Sequence, residues 1–247
     1  MGRRKKEPSP PPSMTSPKNT AQDAYSQALY NRDVPMVFAI GPAGTGKTML
    51  ACTAAISEYT QGIHKKIIMT RPVVSVEEDI GYLPGTLEEK MDPWIRPIMD
   101  IFAEHFTQNQ IQFMMKEKII EICPLAYMRG RTFKDAFIIA DEMQNSTVNQ
   151  MKMLLTRIGN GSKMVVTGDL RQHDRKYEDN GLKDIYKRME GQTHERIQCI
   201  QFDHCHIERS PIVKDVLKIY GDFTHSRTHD NSDQLREGTG DMDSTRD

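Results

Sequence analysis

Long apolar runs, paired cysteines and a surplus of either charge are all missing from this 247-residue chain. No apolar stretch approaches the roughly 18 residues that a bilayer-spanning helix needs, so an integral membrane protein is not expected. The N-terminus lacks the apolar core of a signal peptide. Position 6, where a myristoylation signal carries Ser or Thr, is Lys6. Only four cysteines occur, without the paired spacing of a disulfide framework, and the expected setting is a reducing cytoplasm. Thirty-three Lys and Arg against 34 Asp and Glu leave a net charge of −1, which supplies no global attraction to nucleic acid or membrane. Aromatic residues make up 7% of the chain, and no stacking platform for single strands stands out.

The charge that is present is unevenly placed. Residues 1–18 carry +4 and hold five of the 13 prolines with almost no apolar side chains. Such a segment cannot bury enough surface to offset its ordering entropy, so it reads as a disordered basic tail. Residues 223–247 carry −3 and read as a disordered acidic tail, leaving −2 on residues 19–222. Across that middle segment, short apolar runs alternate with helical patterns, which predicts an α/β domain. Strands are expected at 36–40, 67–70, 119–123, 137–140, 164–167 and 197–202, several apolar throughout, as in a mostly parallel sheet covered on both faces. Helices are expected at 20–30, 47–60, 86–106, 109–117, 148–158, 182–190 and 211–220, with 86–117 a helical insertion on the core.

The most specific signal is Gly41-Pro42-Ala43-Gly44-Thr45-Gly46-Lys47-Thr48, which matches G-x-x-x-x-G-K-[ST] between a predicted strand and a predicted helix. The glycines let successive backbone N–H groups point inward at phosphate oxygens, and the helix adds its N-terminal dipole. Lys47 is expected on the β- and γ-phosphates, and the Thr48 hydroxyl on Mg²⁺. A second signal is the apolar strand that ends in Asp141-Glu142. Asp141 lies where parallel sheets bind ligands and fits the metal-holding carboxylate. Glu142 fits the base for an attacking water. That carboxylate pair favours hydrolysis over phosphoryl transfer to a small acceptor. A third, weaker signal is Thr167-Gly168-Asp169-Leu170-Arg171-Gln172 after another strand, with Gln172 a candidate γ-phosphate sensor.

With these segments in place, the chain resembles the PhoH family of phosphate-starvation-inducible ATPases, whose core is similar to superfamily 1 helicases. The resemblance covers about residues 19–221. It rests on Asn19-Thr20-Ala21-Gln22, the loop 41–48, Thr70-Arg71-Pro72, and the stretches 81–85 and 124–132. Asp141-Glu142-Met143-Gln144-Asn145, 150–152, 155–159, Thr167-Gly168-Asp169 and Glu208-Arg209-Ser210-Pro211 follow in the same order. It implies a single RecA-like P-loop domain, ATP as the nucleotide, and a homo-oligomer, expected as a hexameric ring. It also implies that Gln22 reads the adenine edge and that Gln144 lies beside the γ-phosphate. An arginine that stabilises the transition state has no second core in these roughly 200 folded residues to come from. Either it comes from a neighbouring subunit, with Arg209 first and Arg129 and Arg131 next, or turnover is slow; the ring that the resemblance implies fits the first. Tyr25, about one helical turn after Gln22, either stacks on the base or packs in the helix.

The expected function is thus an Mg²⁺-dependent ATPase acting as an oligomer, with RNA or single-stranded DNA as a candidate partner. The alternative is a nucleotide-dependent assembly switch that binds a protein. Cys199, His204, Cys205 and His206 cluster but lack the C-x₂₋₄-C spacing of zinc sites, so no further metal is expected there. If the last strand continued that far, Cys205 would also point away from both histidines. The 16 methionines read as adaptable core filling.

Overall fold

The computed structural model describes residues 16–72, 87–172, 180–208 and 210–219. Apart from residues 16–18, both predicted tails lie outside these residues, as do the stretch 81–85 and Arg209. Six strands form one sheet: β1 (Met36–Ile40), β2 (Lys66–Arg71), β3 (Ile120–Pro124), β4 (Ala136–Ala140), β5 (Lys163–Gly168) and β6 (Ile197–Gln201). Their order is β3-β2-β4-β5-β1-β6, and every pairing is parallel. The predicted doubly covered α/β sheet is therefore present, now wholly parallel among the described residues.

Strand residues alternate between two cores, as the two-residue period of a strand requires. Val37, Ala39, Ile67, Met69, Phe137 and Ile139 face one layer. That layer comprises α1 (Thr20–Tyr30), α2 (Lys47–Thr60), α3 (Leu87–Ala103) and α4 (Gln108–Lys116). Phe38, Ile40, Ile68, Ile138, Ala140 and Val166 face the other, built on α5 (Val148–Leu155) and α6 (Gly181–Met189). The predicted insertion is α3 and α4, whose Ile98, Phe102, Ile111 and Met114 join the first core. A second compact unit begins at Arg209 and contains α7 (Pro211–Ile219).

Among the boundaries that differ from expectation, α3 ends at Ala103 rather than 106, and two others have a visible cause. The helix predicted to reach 158 stops at Leu155, because the chain then pairs with the segment before β4: Phe133 N donates to Arg157 O at 3.0 Å and Gly159 N to Phe133 O at 2.7 Å. A Cβ at Gly159 would lie 2.4 Å from Phe133 O, so only glycine allows this approach. The last strand ends at Gln201, and His204–His206 form a 3₁₀ turn rather than extended chain. Side-chain alternation therefore does not decide how Cys205 and its two histidines are arranged.

One buried cation ties the start of β5 to the end of α1 and the turn into β1. Lys163, the first residue of β5, is 3% exposed. Its Nζ donates to Ala28 O at 3.0 Å, Asn31 O at 2.8 Å and Val34 O at 3.0 Å, joining the end of α1 to the turn into β1. Burial pulls its pKa down to about 8, with Glu58 opposing. Lys163→Met keeps the bulk but strands three buried carbonyls. Unfolding free energy should fall by about 2–4 kcal/mol, read as a lower denaturant midpoint at unchanged m-value.

Candidate nucleotide site

The tips of β1, β4 and β5 lie side by side in the sheet order, and a cleft of about 250 Å³ opens above them. Its lining includes Ala43, Gly44, Gly46, Lys47 and Thr48 from the loop after β1, Asp141 and Glu142 after β4, and Thr167 to Asp169 with Gln172 at β5. Three sequence segments singled out separately thus meet in one cavity at the carboxyl edge of the sheet.

The loop takes its shape from backbone that side chains rarely adopt. Gly41 has φ +152° and Gly46 φ +84°. A Cβ on Gly41 would fall 2.2 Å from Phe202 O, so the loop can approach β6 this closely only as glycine. Lys47 Nζ folds back onto the loop's own carbonyls, donating to Gly41 O at 2.7 Å and Pro42 O at 2.8 Å. Burial lowers the Lys47 pKa, while Asp169, Glu142 and Asp141 work in the opposite direction. The ammonium thus faces three carboxylates across the cleft and is held by acceptors that phosphate oxygens could replace.

Asp141 joins the walls. Its Oδ1 accepts from the Thr48 hydroxyl at 2.8 Å and also from the Thr167 hydroxyl. Thr167 belongs to the third sequence signal and to the family-like Thr167-Gly168-Asp169 stretch, neither of which points to its bond with Asp141. Glu142 has φ +53° and ψ +39°, so the chain turns sharply just after β4, where its side chain lines the cleft. Gln144 does not line the cleft and is 2% exposed. Its Nε2 donates to Glu142 Oε2 at 2.5 Å and its Oε1 accepts from Asp169 N at 3.1 Å. Gln172 is exposed and lines the cleft.

The loop is braced from outside by residues 18–25 and by Glu208. Gln22, 2% exposed, donates from Nε2 to Thr45 O at 3.1 Å and accepts at Oε1 from Lys18 N at 2.9 Å. Both ends of its amide therefore already have partners. Tyr25 is fully buried, donates to Lys47 O at 3.2 Å and meets Phe202 edge-on at 5.7 Å. Of its two expected roles, this is packing. Glu208 N donates to Gly44 O at 3.0 Å, and Asn19 Nδ2 donates to Glu208 Oε1 at 3.3 Å.

A family model described as PhoH-like protein matches residues 14–221. The chain belongs to the PhoH-like family. A PhoH-like protein of Bacillus subtilis is 45% identical over 207 residues, covering 82% of this chain and 63% of that one. Protein PhoH of Escherichia coli is 37% identical over 212 residues, covering 83% and 59%. This PhoH-like chain thus spans less than two thirds of the length of these relatives. Among solved structures, the Hef helicase domain of Pyrococcus furiosus aligns over 77% of this chain and 39% of its own, with TM-score 0.40 and 14% identity. The Pif1 helicase of Candida albicans aligns over 75% and 39%, with TM-score 0.37 and 14% identity.

The structure separates the two PhoH-like arginines that the sequence treats alike. Arg131 grips Glu121 on β3 with both terminal nitrogens, Nη2 to Oε2 at 2.8 Å, and lies 4.6 Å over the Phe133 ring. The salt bridge raises the Arg131 pKa and lowers that of Glu121. β3 is also four strand positions from β1, about 19 Å at the usual strand spacing. Arg129 is exposed and follows a 3₁₀ turn (Leu125–Met128). Arg131→Ala should cost about 1 kcal/mol for the partly exposed pair and its ring contact, whereas Arg129→Ala should stay within about 0.5 kcal/mol. Thermal unfolding midpoints of the two variants check this.

Among the described residues, no helix is long and apolar enough to cross a membrane.

Proposed function

We propose that this PhoH-like chain binds ATP with Mg²⁺ over the loop 41–48 and hydrolyses it, with Glu142 as the base. The observation that carries this reading is the Thr48–Asp141 hydrogen bond of 2.8 Å, which sets a phosphate-loop hydroxyl and a carboxylate at one wall of a cleft that Glu142 also lines. Those donors are oxygens, as a hard divalent cation prefers, so Thr48 and Asp141 suit Mg²⁺. When bound, Mg²⁺ would neutralise charge on the phosphate oxygens.

The protein's own groups do the rest. Lys47 exchanges the carbonyls of Gly41 and Pro42 for β- and γ-phosphate oxygens, and the loop's N–H groups orient the chain of phosphates. Glu142 takes a proton from water as the water oxygen bonds to the γ-phosphorus and the bond to the ADP oxygen breaks. Gln172, at the cleft's mouth, contacts the γ-phosphate. Gln22 reads the adenine by giving up Thr45 O and Lys18 N for the edge of the base. Arg209, supplied across a homo-oligomer interface, stabilises the transition state.

RNA or single-stranded DNA is the proposed partner of the turnover. Arg71 ends β2 and Arg129 follows the turn after β3, both at the carboxyl edge of the sheet, where the Tyr127 ring is 58% exposed. A second reading, a nucleotide-dependent assembly switch, has its own support. Glu208 N donates to Gly44 O of the loop, so nucleotide entry would bear directly on the segment at Glu208.

Lys47→Ala should abolish binding of a fluorescent ATP analogue. Glu142→Gln should keep that binding and lose about 100-fold or more in turnover. Normal turnover by Glu142→Gln would exclude this base. Turnover with and without single-stranded RNA or DNA, alongside solution mass with and without ATP analogue, separates the two readings. Stimulation by the strand favours the motor. A change of mass alone favours the switch.

A further inference from the structure

Gln144 sits in a strongly determined place without facing the cleft. It is 2% exposed, and both ends of its amide are engaged. The oxygen accepts from Asp169 N at 3.1 Å, so the NH₂ end is the one directed at Glu142 Oε2, 2.5 Å away. The surroundings leave that amide little freedom. A Cβ on Gly168 would come within 2.6 Å of Gln144 Oε1 and 2.6 Å of Leu182 Cδ2, so the absent side chain at the tip of β5 is the space the amide occupies. Met143 and Asn145 on either side are buried too, which holds the short 3₁₀ turn of Met143–Asn145 in place.

Glu142, by contrast, needs support. It stands just beyond β4 in the left-handed region, φ +53°, and its side chain is only half-buried at the edge of an open cleft. A carboxylate with two or more rotatable side-chain bonds would sample several directions there, each ordering step costing entropy. A hydrogen bond to one oxygen restricts it and leaves the other oxygen free for water. A base must lie within hydrogen-bond reach of the proton it takes, and a displacement of about 1 Å costs on the order of 100-fold in rate.

We propose that Gln144 is a positioning residue that anchors the Glu142 carboxylate to the tip of β5, acting through Glu142 and not by touching the γ-phosphate. The proposal rests on the reading of Glu142 as the base. It places the tip of β5 in the catalytic machinery by a route that runs through backbone: Asp169 N–H to Gln144 to Glu142. A shift of the β5 tip therefore moves the base directly.

The test is a kinetic cycle on the full-length chain. Gln144→Glu keeps an acceptor for Asp169 N–H but sets a like charge against Glu142. Gln144→Leu keeps the bulk and removes both hydrogen bonds, providing a second variant if the first folds poorly. Each should lower kcat about 10- to 100-fold, while KM for ATP and the Kd of an ATP analogue stay within about 3-fold. Combined with Glu142→Gln, neither should reduce turnover further, since the group it positions is already gone. A kcat near or above that of the parent chain would overturn the proposal. So would a loss shared equally by Kd and kcat, or a further multiplicative loss in the double variant. If Glu142→Gln itself turns over normally, it is the assignment of the base that fails, and the single substitutions report on that separately.

Discussion

One carboxylate oxygen organises the candidate site. Asp141 Oδ1 accepts hydroxyl protons from Thr48 and from Thr167, so the phosphate loop after β1 and the tip of β5 are both pinned to the end of β4. The sheet order makes this possible: β5 lies between β4 and β1, and the three tips project from one edge because every pairing is parallel. Hydrogen bonds to an ionised group are among the strong ones. Asp141 is 6% exposed, which limits competition from water.

The loop and its brace repeat the same device at smaller scale, with backbone groups holding polar side chains. Lys47 is held by the carbonyls of Gly41 and Pro42, and Gln22 by Thr45 O and Lys18 N. In the proposed complex, each partner is exchanged for a ligand atom at little net cost in hydrogen bonding. Tyr25 and Glu208 brace the same loop at the Lys47 and Gly44 carbonyls. The loop is therefore shaped in advance and requires little reordering on binding.

Much of this architecture is legible in the order of residues. Helices α1 and α2 begin and end where their patterns predict, since Asn19 caps the first and Gly46 opens the second. The six strands shift by a residue at most at either end, because apolar runs buried on both faces leave little room for ambiguity. Of the misjudged helix ends, 156–158 depends on a pairing with Phe133 that lies more than twenty positions away and leaves no local pattern. Arg129 and Arg131 likewise look equivalent in sequence. Only Glu121, on a strand ten residues earlier, makes one of them a structural ion pair. Tyr25 resolves as packing for the same reason, since Phe202 and Lys47 reach it from distant segments.

By itself, the sequence determined the class of site. Glycine spacing, a lysine followed by a threonine, and a carboxylate pair closing an apolar strand are local chemistry, and local chemistry is written in consecutive residues. The tertiary structure decided which groups share an oxygen, which arginine is already engaged, and that Gln144 lies behind Glu142 rather than in the cleft. These depend on the order of strands in the sheet and on contacts between tips far apart in the chain. No spacing along the chain encodes a distance across a sheet.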